Sequence, residues 1–176
     1  MAEPEHKPLE EFAPSAEWAA PREWFVPDVA WTVEDGLIDR HADLPTWNAA
    51  VARDDAIVTQ IDDGATQLTA SNVRRTPNRS SSCSAPSLVF DFLRLLEPYP
   101  GDRVLEVGTG TGWTAALLSA YLGAQQVTSI EVDEQIAAQA EEHLDRAGFA
   151  PGLLVGDGRC VKWMRCDACN GTGKQP

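Results

Sequence analysis

Arg103-Val-Leu-Glu-Val-Gly-Thr-Gly-Thr-Gly-Trp113 is the stretch on which the reading of this 176-residue chain turns. Val104, Leu105 and Val107 form a short apolar run of the kind a buried parallel strand needs. Glycines follow at alternate positions, Gly108, Gly110 and Gly112. Glycine lets the backbone turn sharply and approach a ligand with no Cβ in the way. Trp113, Ala116, Leu117, Ala120 and Tyr121 then recur at helical spacing. Strand, glycine turn and helix in this order open a Rossmann-type sheet.

The residues that follow extend the same unit. Val127-Thr-Ser-Ile-Glu-Val132 reads as a second strand, and Glu131 at its end lies 23 residues after Gly108. That is near the spacing expected for an acid that binds ribose hydroxyls. Asp133 is placed to cap a helix with Ile136, Ala140, Leu144 and Ala147 on its inner face. Leu153-Leu-Val155 makes a third strand, closed by Gly156-Asp157-Gly158. Three strand ends therefore point at one crevice, where doubly wound sheets bind ligands. The turn is Gly-x-Gly-x-Gly, so it matches neither the dinucleotide pattern Gly-x-Gly-x-x-Gly nor the Gly-Lys-Ser/Thr of a phosphate loop. A Rossmann domain for another nucleotide, or for none, is the bland alternative.

Composition bounds the function. The 14 basic and 27 acidic side chains give a net charge of -13, which argues against binding nucleic acid through its phosphates. An apolar fraction of 43% is enough for one core. No apolar run approaches membrane-spanning length, and the N-terminus lacks the basic and apolar regions of a secretory signal. A cytoplasmic location is the expectation, with no membrane partner. Cys83, Cys160, Cys166 and Cys169 do not resemble a secreted disulfide framework.

Working outward, residues 1–20 are rich in Glu, Pro and Ala and are expected to form a disordered arm. Residues 21–82 read as an N-terminal α+β extension on the substrate side. Trp18, Trp24, Trp31 and Trp47 either line a peptide groove or, the favoured reading, serve as core and cap residues. Ala56–Ile61 is β-branched and reads as a strand turned by Asp62-Asp-Gly64. Residues 65–82 are polar and read as a mobile loop, in which Arg74, Arg75 and Arg79 either meet a carboxylate-bearing substrate or stay solvated. Ser84-Ala85-Pro86 then opens a helix carrying Leu88, Val89, Phe92, Leu95 and Leu96 on one face, ended by Pro98-Tyr-Pro-Gly101.

Val104-Leu-Glu-Val-Gly-Thr-Gly-Thr-Gly112 resembles the first motif of class I S-adenosylmethionine-dependent methyltransferases. Ser84-Ala85-Pro86 before that motif narrows the resemblance to the protein-L-isoaspartate O-methyltransferases, over about residues 56–158. The resemblance implies a Rossmann-like core in 83–158 and S-adenosyl-L-methionine as cofactor. It implies cofactor contacts from Glu106, Gly108, Thr109, Gly110, Gly112, Glu131, Val132, Asp157 and Gly158, and places Ser84 at the reaction site. The substrate it implies is an Asp or isoaspartate carboxylate of a peptide or protein. Such a nucleophile is already ionised at neutral pH, so the chemistry needs alignment more than a base. Trp24–Trp31, Ile57–Gly64 and Ser80–Ser82 are similar to a branch that accompanies ATP-grasp ligases in maturing ribosomal peptides, whereas the rest of the family repairs damaged proteins.

After Gly158 the resemblance stops. The tail, 159–176, is too short to supply the further strands of such a sheet, so the core is expected to be incomplete on that side, with an exposed apolar edge and face. Cys166-Asp-Ala-Cys169-Asn-Gly-Thr-Gly173 resembles half of the zinc module of J-domain co-chaperones. One Cys-x-x-Cys supplies only two of four zinc ligands, with Cys160 and then His143 or Cys83 as the remaining candidates, and no metal site is expected. Two functional classes therefore stand: a carboxyl methyltransferase, or a truncated cofactor-binding fragment without catalysis.

Overall fold

The computed structural model describes residues 19–72 and 78–158. Two sheets organise them. The N-terminal one is antiparallel, built from β1 (Val29–Thr32), β2 (Gly36–Asp39), β3 (Ile57–Gln60) and β4 (Ser81–Cys83) in the order β2-β1-β3-β4. The second is parallel, with β5 (Val104–Val107), β6 (Val127–Glu131) and β7 (Gly152–Val155) in the order β5-β6-β7. The helices are α1 (Leu44–Ala52), α2 (Pro86–Leu96), α3 (Trp113–Leu122) and α4 (Glu134–Ala147). This is the mixed α/β fold with a Rossmann-like parallel unit that the glycine turn announces.

Local chemistry sets the boundaries of these elements. Asp43 caps α1 by accepting from the Thr46 N–H at 3.1 Å, with proline in the first turn. Asp133 caps α4 by accepting from the N–H groups of Gln135 and Ile136. Gly148, in the left-handed region, ends the same helix, and its N–H and that of Phe149 take up the last carbonyls. Helix α3 is apolar nearly all round and is correspondingly buried between the sheet and its neighbours.

One expectation is corrected here. The end of the polar stretch 65–82 is not loop: Ser81–Cys83 form β4 and pair with β3. Serine has little strand preference of its own, so tertiary context decides. Strand β3 offers a free edge, and the hydroxyls of Thr59 and Ser81 bond across the pair at 3.1 Å. The register shifts between Val58 and Gln60, a bulge in β3 that sets two of its steps against one of β4.

One apolar core runs through both halves. It joins Ala20, Phe25, Ile38, Trp47 and Ile57 of the extension to Val89, Trp113, Leu117 and Leu144. The Trp113 indole N–H donates to the Ala20 carbonyl at 2.9 Å, tying α3 to the N-terminal end of the described chain. Trp47 donates to the Pro27 carbonyl, and Trp31 packs on Val58 and Ile61 in a smaller cluster. Trp31 and Trp47 are thus core residues, Trp24 is half exposed, and they line no common groove; Trp18 lies outside the described residues. Among the described residues no strand pairs with the outer edge of β5, and Leu88, Phe92, Leu95 and Leu96 of α2 are exposed together with Val107.

Candidate active site

Strand β5 delivers the chain into the glycine turn, and β6 holds the turn from below. The N–H groups of Gly108 and Thr109 both donate to the Ile130 carbonyl, at 2.8 and 3.3 Å. The Gly112 N–H closes the turn on the Thr109 carbonyl at 2.9 Å. Gly108 has φ +91, and nothing lies within 4 Å of where its Cβ would stand, so the turn opens there onto free space. Gly112 is the opposite case. A Cβ there would meet the Ala140 carbonyl and Leu144 Cγ at 3.3 Å, because α4 packs directly against the turn.

Two acids lie beside the turn, and their environments separate them. Glu131, at the end of β6, is almost fully buried. One of its oxygens accepts from the Gly110 N–H at 2.9 Å, and the other from the N–H groups of Val132 at 2.8 Å and Asp133 at 3.2 Å. Glu106 sits in the middle of β5 with its carboxyl turned inward onto Ser129, which also contacts the Thr109 hydroxyl at 2.7 Å. Loss of water around that carboxyl pushes the Glu106 pKa up to about 7. The charge of Glu131 adds to the rise, and the Ser129 hydroxyl opposes it.

The N-terminal sheet lies over this turn. A Cβ on Gly110 would stand 3.6 Å from the Ser82 carbonyl and 3.9 Å from the Ser81 hydroxyl. A chain of side chains ties the sheet to α4: Ser80 donates to Gln60 at 2.8 Å, and Gln60 donates to Asp133 at 2.9 Å. That hydrogen bond from the Gln60 amide is the main reason the Asp133 carboxyl is held below the usual carboxylate range. At the far end of the crevice, β7 leads into Gly156-Asp157-Gly158. A Cβ on Gly158 would reach Val107 at 3.8 Å, so the ends of β7 and β5 converge. Val107 and Val132 are about two-thirds exposed at the lips of the crevice, at 69% and 68%.

Ser84 follows β4 directly and precedes α2 by two residues. It is not the cap of that helix. The residue at the cap position is Ala85, with no side-chain bond, and the Ser87 N–H is instead satisfied by Asp54 at 2.8 Å. That bond holds Asp54 below its ordinary range. A depressed carboxyl contributes stability above its unfolded pKa and loses it in acid. Asp54→Ala is therefore expected to lower the thermal midpoint at neutral pH, and the difference from the parent should vanish in strong acid. A melt series against pH checks it.

The structure thus brings Glu106, Thr109, Glu131 and Val132 together at the glycine turn, with Ser81 and Ser82 of β4 over Gly110 and Gly158 beside Val107; Ser84 follows β4, its carbonyl held by Arg22. Arg79 stacks on the Trp31 ring at 5.2 Å, and Arg74 and Arg75 lie outside the described residues. Cys83 is buried in the core, and the His143 ring nitrogen Nδ1 bonds the Thr111 carbonyl at 3.0 Å. Among the described residues no three His, Cys, Asp or Glu side chains gather as a metal site; Cys160, Cys166 and Cys169 fall outside them. Sequence reasoning missed Ser129, Asp54 and Arg22. Ser129 had a signal, since a polar residue at an inward position between Val127 and Ile130 needs a buried partner.

Comparison with known proteins gives the crevice a context. Residues 50–165 match the family of protein-L-isoaspartate(D-aspartate) O-methyltransferases. A protein-L-isoaspartate O-methyltransferase of Koribacter versatilis is 45% identical over 76 residues, covering 43% of this chain and 33% of that one. One of Aeropyrum pernix is 38% identical over 78 residues, covering 43% and 30%. The chain spans about a third of the length of these curated relatives. A solved protein-L-isoaspartate O-methyltransferase superposes with a TM-score of 0.60 at 24% identity, over 89% of this chain and 42% of that one, and so shares the fold. Because the family match takes in well over half of the residues, the chain belongs to the protein-L-isoaspartate(D-aspartate) O-methyltransferase family.

Proposed function

We propose that the crevice binds S-adenosyl-L-methionine and presents its methyl group to an Asp or isoaspartate carboxylate of a peptide or protein. The observation that carries this reading is Glu131: a nearly buried carboxylate at the strand end, aimed by three backbone N–H groups, beside a glycine turn that is open at Gly108. The oxygen that accepts from Gly110 keeps a second lone pair, so Glu131 retains acceptor capacity for one hydroxyl of a ribose. The exposed faces of Val107 and Val132 suit the apolar faces of an adenine, with Asp157 and Gly158 beside its edge. The backbone of Gly108–Gly110 stands on the side suited to the methionyl end, with Glu106 behind it on β5.

When bound, the cofactor would supply an electrophilic methyl: a carboxylate oxygen would bond to its carbon as the carbon–sulfur bond breaks, giving the methyl ester and S-adenosylhomocysteine as the neutral leaving group. The chain's own work is alignment. Ser84, freed from capping α2 by Asp54, donates its hydroxyl proton in a hydrogen bond to one substrate oxygen and so aims the other. The approach of Ser81 and Ser82 in β4 to Gly110, two or three residues before that serine, supports this assignment.

The peptide-maturation form of this activity, with an ATP-grasp ligase as partner, is supported by Trp24–Trp31, Ile57–Gly64 and Ser80–Ser82, whose strands β1, β3 and β4 are neighbours in one sheet. A gene for an ATP-grasp ligase beside one for a short Asp-rich peptide would favour maturation over repair.

Calorimetric titration with S-adenosylmethionine tests the reading. Saturable binding is expected, weakened by roughly tenfold to a hundredfold in Glu131→Gln, the cost of a charged hydrogen-bond acceptor. Methyl transfer to an isoaspartyl or Asp peptide, with Ser84→Ala as the control, then follows. A folded chain that does not bind the cofactor would overturn the proposal. Binding without transfer would leave a cofactor-binding module.

A further inference from the structure

We infer that Arg22 is the positioning residue for Ser84, a role that rests on the carboxylate-methylating reading above. Arg22 lies in the short helical turn Arg22–Trp24 and is only 6% exposed. Its hydrogen-bond partners are all backbone carbonyls. Nη1 donates to Val51 and Arg53, each at 3.0 Å. Nη2 donates to Asp55 at 2.6 Å, Cys83 at 3.0 Å and Ser84 at 2.9 Å. The guanidinium carbon stands 5.6 Å from the centre of the Trp113 ring, whose negative face helps to offset the buried charge.

A buried cation is a costly way to join two chain segments, and apolar side chains of the same volume often serve stability better. What an apolar side chain cannot do is fix the orientation of particular carbonyls. The planar fork of arginine can, because its donors diverge in one plane at set angles. Two of its five acceptors belong to Cys83 and Ser84, the end of β4 and the residue after it. Only Ser84 and Ala85 separate β4 from Pro86. With the Ser84 carbonyl pinned, the backbone of that two-residue link is set, and with it the direction from which the Ser84 hydroxyl leaves the chain. A group that aims a substrate oxygen in line with a methyl must be held to a fraction of an ångström. The other three acceptors lie in residues 51–55, the same segment whose Asp54 caps α2. Arg22 thus locks both supports of the serine at once.

The test is Arg22→Lys in the full chain, since an ammonium keeps the charge but cannot span five carbonyls. Native-state hydrogen exchange is read at the amides of 84, 85, 87 and 88 and compared with 104–131. Exchange at the first group is expected to rise roughly tenfold or more, while 104–131 and the affinity for S-adenosylmethionine stay within about twofold. In methyl transfer the peptide KM should rise with the KM for S-adenosylmethionine unchanged. Arg22→Ala should regain protection at 84–88 when free guanidinium is added, and should it fail to fold, Arg22→Lys decides alone. Unchanged protection at 84–88, or protection lost equally across the fold, overturns the inference. A parent chain that turns over no peptide would overturn the proposed activity, while the exchange comparison still decides the part played by Arg22.

Discussion

Gly112→Val is expected to destabilise the fold by about 3 kcal/mol or more, a large share of the ~5–15 kcal/mol that holds a domain of this kind together. Two costs add. Gly112 has φ +87, in the left-handed region where a β-branched residue is strained by roughly 1–3 kcal/mol. The new Cβ would also press on the Ala140 carbonyl and Leu144 Cγ at 3.3 Å, against the backbone of a packed helix that has little room to retreat. Overpacking of this sort costs roughly 1–3 kcal/mol. Gly108→Ala supplies the contrast. Its φ is equally left-handed, but no atom waits within 4 Å, so it pays the backbone cost alone and places a methyl in the space left for a ligand. Urea unfolding should show the larger loss for Gly112→Val, and cofactor titration of the still-folded Gly108→Ala should show the larger loss of binding. Equal stability of the two variants would mean that α4 does not press on the turn.

Glu106→Gln is expected to raise stability in alkaline solution, by on the order of 3 kcal/mol at pH 9, and to leave it nearly unchanged near pH 4–5. The Glu106 carboxyl is raised from 4.5 to about 7, burial being the largest influence on it. An acid with a raised folded pKa gives up its proton more readily when unfolded. Its neutral form therefore stabilises the fold below pH 4.5, and that contribution is lost progressively as pH climbs through 7. Glutamine keeps an oxygen to accept the Ser129 hydroxyl and never ionises. The difference between variant and parent should open between pH 4.5 and 7 and level off above. Parallel pH profiles of the two chains would show that the Glu106 carboxyl is better solvated than its contact with Ser129 implies.

The parallel unit was legible because each of its parts carries a strong local signal. The apolar run 104–107, the glycines and the helical spacing after Trp113 agree on one structure, and Asp133 marks the start of α4 by its chemistry. Glu131 was legible from spacing alone. Of the antiparallel sheet only β3 was legible, from the β-branched run 56–61, and the rest was visible only as an ordered α+β extension. Strands β1 and β2 are four residues each, and Ser81-Ser-Cys83 becomes a strand only because β3 needs a partner. Arg22 was invisible for a different reason. Its five acceptors are carbonyls, which every residue carries, so nothing in the side-chain sequence marks them. Ser84 stood out by its neighbours Ala85 and Pro86, yet the capping of α2 by Asp54, which takes the Ser87 N–H from 33 residues away, required the fold.

The bond from Trp113 to the Ala20 carbonyl spans 93 residues, and it sets a clock on synthesis. Chains grow at roughly 5–20 residues per second, so Ala20, Phe25 and Val26 wait on the order of 5–20 s before their partner helix exists. Through that interval they can pack only on residues of the extension itself, such as Ile38, Trp47 and Ile57, because the helix that completes their core is still untranslated. Docking of the extension is therefore among the last events of folding, and the newborn N-terminal segment is the part a chaperone would meet first. Codons that slow the ribosome between residues 60 and 113 would lengthen that exposure without altering a single side chain.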